Sequence, residues 1–584
     1  MFELILAIPP RERYSAVSAF YPQMNKMDIP GRKAFLYDLL AGNDLKVFRK
    51  QISKELVEIA GVKDLIPDVY SDFRQIAIDG ISFILEKISE DRLKYILIDQ
   101  MLLDQKVEAG ERLILIAFSL PTIHKLGQII ARNSNIDISF RKWLMKLESS
   151  VPDTSSPRDF ILSQMQMNRN NSVEFIIDEK PLAEASVGVV TAFTFQNSGF
   201  GLSEGVFKTV KPGVTQFLSE EIILIDQLTD FFDENRSNYP LSDFHYREVF
   251  DEIKTSLLSE VDLTVEQKNL KSASIFFDSN SSVKVPKLLP FSTEKVTAME
   301  KINGKKIDRD SLSDSEASFF AEELFWNLFG KVIFSTNERA LFHGDPHAGN
   351  IFIQQKKDGK QIYLLDWSQT GYLKKDQRCG ILQIALGILT HDENRITKAA
   401  LSLANDCDSL CVKKMLQEKT AQAFSVVQKD KSSSFMEKTM IIIDKLALGG
   451  CSFPGELLWF RKSFFTLRGI ITELAPQLSL DEVIFKHLEN YLLLEIPERI
   501  SDVFIKNRSD NYSYQSLISN NDLFSLLQLG IYQGLNKSIR REINYIQTFY
   551  SSLIDLYSIP FSLSHFSASS AAQHPEPAAE IACR

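Results

Sequence analysis

Leu341–Ile353 reads LFHGDPHAGNIFI, and Ile362–Gly371 reads IYLLDWSQTG. The first is an apolar run that breaks into a polar loop carrying His343, Asp345 and Asn350, then resumes as Ile351–Ile353. The second is an apolar strand that delivers Asp366 to a turn. Gly, Pro, Asp and Asn favour turns for local reasons, so either segment alone reads equally well as an ordinary loop. Together, with a short KKDG turn between them, they set a carboxylate and an amide on one loop and a second carboxylate at the end of the next hairpin. Magnesium takes hard oxygen ligands of this kind, and a nucleophile attacking a phosphate needs an acceptor in line with it.

Asp345 and Asn350 have the spacing of H-x-D-x-x-x-x-N, the pattern of a kinase catalytic loop, and Asp366 falls where the metal-binding Asp of the D-F-G turn stands. The wording FHGDPHAGN is more specific than the spacing. It resembles the UbiB family of atypical kinases, also called the AarF or coenzyme-Q-kinase family, whose loop reads much like FHADPHPGN. The resemblance runs from Pro121 to Cys379. It implies an α+β, atypical bilobal protein-kinase-like fold with N-terminal and C-terminal helical extensions, binding ATP and Mg2+. It implies Asp345 as base or water-orienting group, with Asn350 and Asp366 on the metal. Trp367 and Ser368 stand where that pattern has Phe and Gly; the missing glycine predicts a stiffer turn.

The rest of the chain sorts around this centre. Positions 1–120 have apolar residues at helical spacing, as in Ile81, Ile84, Leu85 and Ile88, and read as packing helices. In 121–170, Lys125 and Gln128 share a helix face, which alone suggests an amphipathic helix with a solvated lysine. HKLGQII nevertheless resembles the family's K-x-G-Q segment, which implies that Lys125, Gly127 and Gln128 lie over the nucleotide site. Arg132 and Asp137 fall out of step with the Arg and Asp the family carries there.

Positions 171–303 switch to short strands, Val173–Ile177, Val187–Phe195 and Gly205–Val210, the pattern of a kinase N-lobe. PLAEASVGVV, Pro181–Val190, resembles the family's Ala-rich phosphate loop, implying Ala183, Ala185 and Ser186 as ATP contacts. Each Cβ restricts the close approach that glycine would allow, and Glu184 adds negative charge. Lys208 in EGVFKTVKPGV matches the lysine that contacts the phosphates. SEVDLTVEQKN matches E-x-D-F-x-x-E-A-x-N at Glu260, Asp262, Glu266 and Asn269, with Glu266 the partner of Lys208. Phe250–Phe277 is read as one helical stretch. Val283–Leu289 and Val296–Met299 are expected to close the N-lobe sheet. AMEKING, Ala298–Gly304, is the expected hinge, with Glu300 among the adenine contacts.

Positions 304–479 read as the C-lobe. Ala317–Ser335 is expected as a helix whose Phe319, Phe320, Phe325, Trp326 and Phe329 are core, and Leu382–Ser402 as continuous helix. Positions 480–563 are again helical in pattern, with an apolar stripe from Ile543 to Ile554, and 564–584 has the composition of a disordered tail.

The 584 residues, 44% apolar and 24% charged, leave room for more than one domain of soluble type. A net charge of −10 argues against nucleic-acid binding. The five cysteines, Cys379, Cys407, Cys411, Cys451 and Cys583, lack structural-zinc spacing and read as reduced thiols of a cytoplasmic protein. No apolar run reaches the roughly 18 residues of a membrane helix, which leaves peripheral membrane contact open. The implied partners are a nucleotide and, through the family, an isoprenoid lipid or quinone precursor and lipid-modifying enzymes. Two further readings fit: a non-catalytic nucleotide-binding scaffold, and a small-molecule phosphotransferase, against which the K-x-G-Q segment and the Ala-rich loop argue.

Overall fold

The computed structural model describes residues 8–40, 47–131, 144, 158–167, 175–184, 187–197, 201–211, 214–240, 246–277, 282–356, 359–405, 410–504 and 512–532. They form two compact units. One takes in Met1–Ile333, Arg339–Lys374 and Pro454–Leu478; the other takes in Phe334–Glu338, Lys375–Phe453 and Ser479–Arg584.

In the first unit the N-terminal helices do not stand apart from the kinase-like region. Their apolar stripes, including Leu36, Ile52, Leu85 and Leu97, share one buried cluster with Leu218, Phe232, Ile253 and Leu257. The last four come from the Val214–Glu234 and Tyr246–Val261 helices, which neighbour the sheet in sequence. Arg92 reinforces the join, pairing with Glu220 at 2.8 Å and with the buried Glu221. Glu221 then accepts from the backbone N–H of Thr122 at 2.7 Å, at the start of the Pro121–Ala131 helix. A carboxylate is favoured there because the first N–H groups of a helix lack intrahelical partners. That contact fixes where Lys125, one turn on, emerges.

The main sheet runs β1 (Phe175–Ile177), β3 (Gly188–Asn197), β4 (Gly201–Val210), β6 (Val296–Glu300), with β2 (Ala183–Glu184) also on β3. β1/β3, β3/β4 and β4/β6 are antiparallel, and Lys208 sits opposite Val190 on one side and Thr297 on the other. Alternation buries Phe193, Phe195 and Phe207 on one face with Phe291 and Ile161. The rings of Phe193 and Phe207 stack at 3.8 Å, and a Cβ on Gly205 would meet Phe193 at 2.4 Å. Each buried Phe contributes on the order of 1.5–3 kcal/mol. The odd positions of β4 being thus committed to the core, Lys208 projects from the opposite face.

A second sheet has the order β5 (Val283–Lys284), β10 (Gly359–Leu364), β9 (Ile351–Lys356), β7 (Lys305–Lys306). Val283 therefore does not join the main sheet as the sequence leads one to expect, whereas Leu288, later in the same segment, bridges Met299 of β6. β5 runs parallel to β10, with Ile362 opposite Val283, because both are fully buried apolar residues that share one layer. β8 (Arg339–His343) pairs with β11 (Thr370–Lys374).

Three expected helices are interrupted. Asp262 breaks the 250–277 stretch into Tyr246–Val261 and Leu263–Phe276, because its carboxylate caps the second helix through the N–H groups of Thr264 and Val265. The 317–335 helix is α-helical to Phe325, passes through a π-helical turn at Trp326–Gly330 and resumes over Lys331–Ile333. Phe320, Phe325, Trp326 and Phe329 are buried, but Phe319 is 37% exposed, beneath the ammonium of Lys360. The 382–402 helix is split at His391, whose φ of +56° is left-handed, with Asp392 capping the next helix.

The second unit, among the described residues, is helical: Lys375–Thr390, Glu393–Leu403, Leu410–Lys429, Phe435–Leu448, Leu480–Phe504 and Asn520–Tyr532. Its polar centre is Arg499, which donates to Glu495, Asn520, Ser516 and the carbonyl of Ile518 and lies over the Tyr514 ring. A buried guanidinium persists only when its donors are used in this way. The expected stripe 543–554 and the tail lie outside the described residues. Among the described residues no helix is long and apolar enough to cross a membrane.

Candidate active site

Lys208 reaches from β4 to two carboxylates. Its Nζ is 2.6 Å from Glu266 Oε1 and 3.3 Å from Asp366 Oδ1. Glu266 lies one turn into the helix capped by Asp262, and its side chain is 4% exposed. Asp366 enters at the end of the β9–β10 hairpin with φ of +55°, a left-handed conformation uncommon outside glycine. The surroundings hold that turn from several directions. Asn269 Nδ2 donates to the Trp367 carbonyl at 2.9 Å, and the Trp367 indole, fully buried, donates to the Leu364 carbonyl. Ser368 N–H donates to Asp366 Oδ1 at 3.2 Å, and Gln369 Nε2 to Ser256 Oγ at 2.6 Å. Trp367 also packs between the rings of His343 and Phe277.

The other loop follows β8. His343 Nδ1 accepts from Asp345 N–H at 3.2 Å, and its Nε2 is 3.1 Å from the Leu365 carbonyl. The first bond requires an unprotonated Nδ1, so the proton sits on Nε2 and is donated to Leu365. One buried, neutral histidine thus ties the loop of Asp345 to the strand that carries Asp366. Asn350 Nδ2 donates to the Asp345 carbonyl, which leaves its oxygen as the ligand-forming atom, and Leu365 N–H returns to the Asn350 carbonyl at 2.8 Å. His347 accepts from Gly349 N–H and stands 4.0 Å from Asp345. Both halves read from the sequence, Asp345/Asn350 and Asp366, are therefore bonded together through backbone.

Lys125 is buried and forms an ion pair with Glu260, at the end of the Tyr246–Val261 helix. Glu300 lies in β6 opposite Gly205, and its carboxylate accepts from Lys287 N–H. Beyond it, Lys301 and Asn303 both contact Glu204 of β4, which lashes the expected hinge to the sheet. Ala183 is exposed in β2, opposite Val190. Ala185, Ser186, Arg132 and Asp137, with the side chains of Gln128 and Glu184, lie outside the described residues. Asn269 and Gln369 gained positioning contacts that spacing does not reveal; Asn269 was visible only as a motif position.

The model of the ABC1 atypical kinase-like domain matches residues 146–400. The chain thus carries an ABC1 atypical kinase-like domain. It is 24% identical over 412 residues to a "Probable protein kinase UbiB" of Blochmanniella pennsylvanica, covering 66% of this chain and 70% of that one. An uncharacterised protein in the hydrogenase 1 5′ region of Clostridium pasteurianum is 25% identical over 382 residues, 63% of this chain and 68% of the relative. The chloroplastic ACTIVITY OF BC1 COMPLEX KINASE 8 of Arabidopsis thaliana is 25% identical over 293 residues, 48% of this chain and 37% of the relative. A kinase-like domain implies nucleotide binding.

Charge in this ABC1 domain is arranged to suit such a ligand. Burial alone would strip Lys208 of its proton, but Asp366 and Glu266 outweigh it and raise its pKa. Burial likewise opposes ionisation of Asp366, yet Lys208 and the hydrogen bond from Ser368 hold its carboxyl well below the usual range. Burial pushes Glu266 up, against the pull of Lys208. Glu266 Oε2 has no hydrogen-bond partner, so this pair is held by one oxygen only. The Asp366 side chain is 34% exposed and ionised, and is the most open member of the set. Among the described residues no three His, Cys, Asp or Glu groups cluster as a closed metal site.

Proposed function

We propose that the chain binds Mg-ATP and hydrolyses it or transfers its γ-phosphoryl group, in support of ubiquinone or related isoprenoid-lipid metabolism. The observation that carries this is Lys208 shared between Glu266 and Asp366 at 2.6 and 3.3 Å. A lysine held by a helix carboxylate beside an open, ionised aspartate is the constellation phosphoryl transfer needs. Lys208 would contact the phosphates, Glu266 hold Lys208, Asn350 and Asp366 ligate magnesium, and Asp345 orient the nucleophile. Bound Mg-ATP would supply the reactive phosphoryl group and the metal charge that neutralises it. The lipid assignment rests on family resemblance and on relatives named probable protein kinase UbiB. Ala183, in place of a glycine, favours slow hydrolysis over phosphorylation of generic proteins.

The test is phosphate release from Mg-ATP by the full chain, with and without an isoprenoid lipid in detergent, beside Asp345→Asn. Turnover that Asp345→Asn abolishes and the lipid stimulates supports the proposal. Mg-ATP turnover equal in wild type and Asp345→Asn would remove Asp345 from the chemistry.

A further inference from the structure

The Gly455–Leu474 helix belongs to the same compact unit as the strands that carry Asp345 and Asp366, although the chain reaches it only after Lys375–Phe453. Three consecutive residues before Asp345 touch it. Phe342 sets its ring edge-on against Trp459 and Phe460, with centroids at 5.8 and 5.2 Å. The His343 carbonyl accepts from Ser463 Oγ at 2.7 Å, a contact between residues 120 positions apart. At Gly344 a Cβ would fall 2.5 Å from Trp459 Cζ2, so the indole leaves no room for a side chain there.

Ser463 is buried inside a helix, where a serine hydroxyl commonly bonds back to the carbonyl four residues earlier. Here it leaves its own helix and fixes a peptide of the loop. From the opposite side, Gly344 N–H donates to the Gln369 carbonyl at 2.9 Å, and Asp345 N–H to His343 Nδ1. The peptides immediately before Asp345 are thus held on both sides. Asp345 contributes to chemistry only if its carboxylate is aimed, and positional errors of about 1 Å can cost on the order of a hundredfold in rate.

We propose that Ser463 and Trp459 are positioning residues for Asp345, acting through the His343 carbonyl and the Gly344 backbone. This rests on the phosphoryl-transfer function proposed for the site. It predicts a separation that mere packing would not give: turnover should fall while nucleotide affinity stays.

The test uses the full-length protein with two readouts, phosphate release from Mg-ATP and amide exchange across 343–350 without nucleotide. Ser463→Ala should lower kcat roughly tenfold with KM for ATP within twofold, and Ser463→Thr, which keeps the hydroxyl, should recover most of it. Gly344→Ala should abolish turnover, and Gly344→Ala/Trp459→Leu, which makes room for the methyl, should regain part. Exchange should quicken within 343–350 in Ser463→Ala while the N-terminal helices stay as in wild type. An unchanged kcat in Ser463→Ala, or faster exchange spread over the whole unit, would overturn the proposal. If wild type itself turns over no ATP, the phosphoryl-transfer reading fails, and the exchange experiment alone then decides: quickening confined to 343–350 upholds the anchor, and no change overturns it.

Discussion

Lys208 Nζ is held between Glu266 and Asp366, closer to the first by 0.7 Å (2.6 against 3.3 Å). The shorter contact is to the more deeply buried carboxylate, which leaves Asp366 the freer to exchange its lysine for a metal ion. Asp366→Asn should therefore abolish the magnesium-dependent part of nucleotide binding and spare the fold. With ATP at 100 times its dissociation constant, wild type should gain about 2.7 kcal/mol of apparent stability. A thermal melt with and without Mg-ATP reads this directly. The same Mg-dependent shift in Asp366→Asn would remove Asp366 from the metal site.

Lys125 and Glu260 give a second handle. Their side chains are 3% and 12% exposed, so removing one partner takes a short charge–charge contact away from a nearly buried group. Lys125→Met should destabilise by about 3 kcal/mol, whereas Lys125→Met/Glu260→Leu should lose less than the single change. Urea unfolding of wild type, both singles and the double tests it. Strict additivity would mean that the two side chains do not interact.

Most of this centre was legible because its chemistry is local. HGDPHAGN and LLDWS each carry their candidate side chains within a few residues of a strand end, so wording alone singles out Asp345, Asn350 and Asp366. Lys208 and Glu266 were legible only through motif resemblance, since a lysine on a strand and a glutamate on a helix are ordinary by themselves. The interruption at Asp262 was hidden for a different reason. The flanking apolar residues keep helical spacing, and only the capping bonds to Thr264 and Val265 reveal two helices. Val283 pairs with β10 rather than β6, and a short buried strand has no period by which its sheet could be chosen. Ser463 and Trp459 could not be found at all, because nothing in the sequence marks a contact made 120 residues away.

His343 predicts a pH dependence with a definite sign. Burial is the main influence and pushes its pKa below the ordinary value, against smaller opposing effects of the Leu365 carbonyl and Asp345. Below about pH 6.5 the unfolded chain binds a proton there that the folded chain refuses. Stability contributed by this site is complete above that pH and is lost as pH falls towards the depressed folded value, by at most about 1.4 kcal/mol per unit. His343→Asn, which preserves an acceptor for Asp345 N–H, should flatten the wild-type loss between pH 7 and 5. Parallel urea-stability profiles for the two proteins would show that His343 is not buried and neutral.

Gly371 tests the packing behind the loop. It lies in β11 directly opposite Phe342, and a Cβ there would come within 2.2 Å of Phe342 Cζ. Phe342 is 1% exposed and is hemmed in by Trp459 and Phe460, so its ring cannot simply swing aside. Gly371→Ala should cost about 1–3 kcal/mol through overpacking. The strain should pass to His343, the next residue along β8, and so also weaken the Mg-ATP thermal shift. Gly371→Ala/Phe342→Leu should recover part of the stability, because the smaller side chain vacates the space the methyl needs. Denaturant unfolding and the nucleotide shift, measured on both variants, separate the two effects. A Gly371→Ala protein as stable as wild type would show that Phe342 has room to move, and that the wall behind the Asp345 loop is looser than these contacts make it.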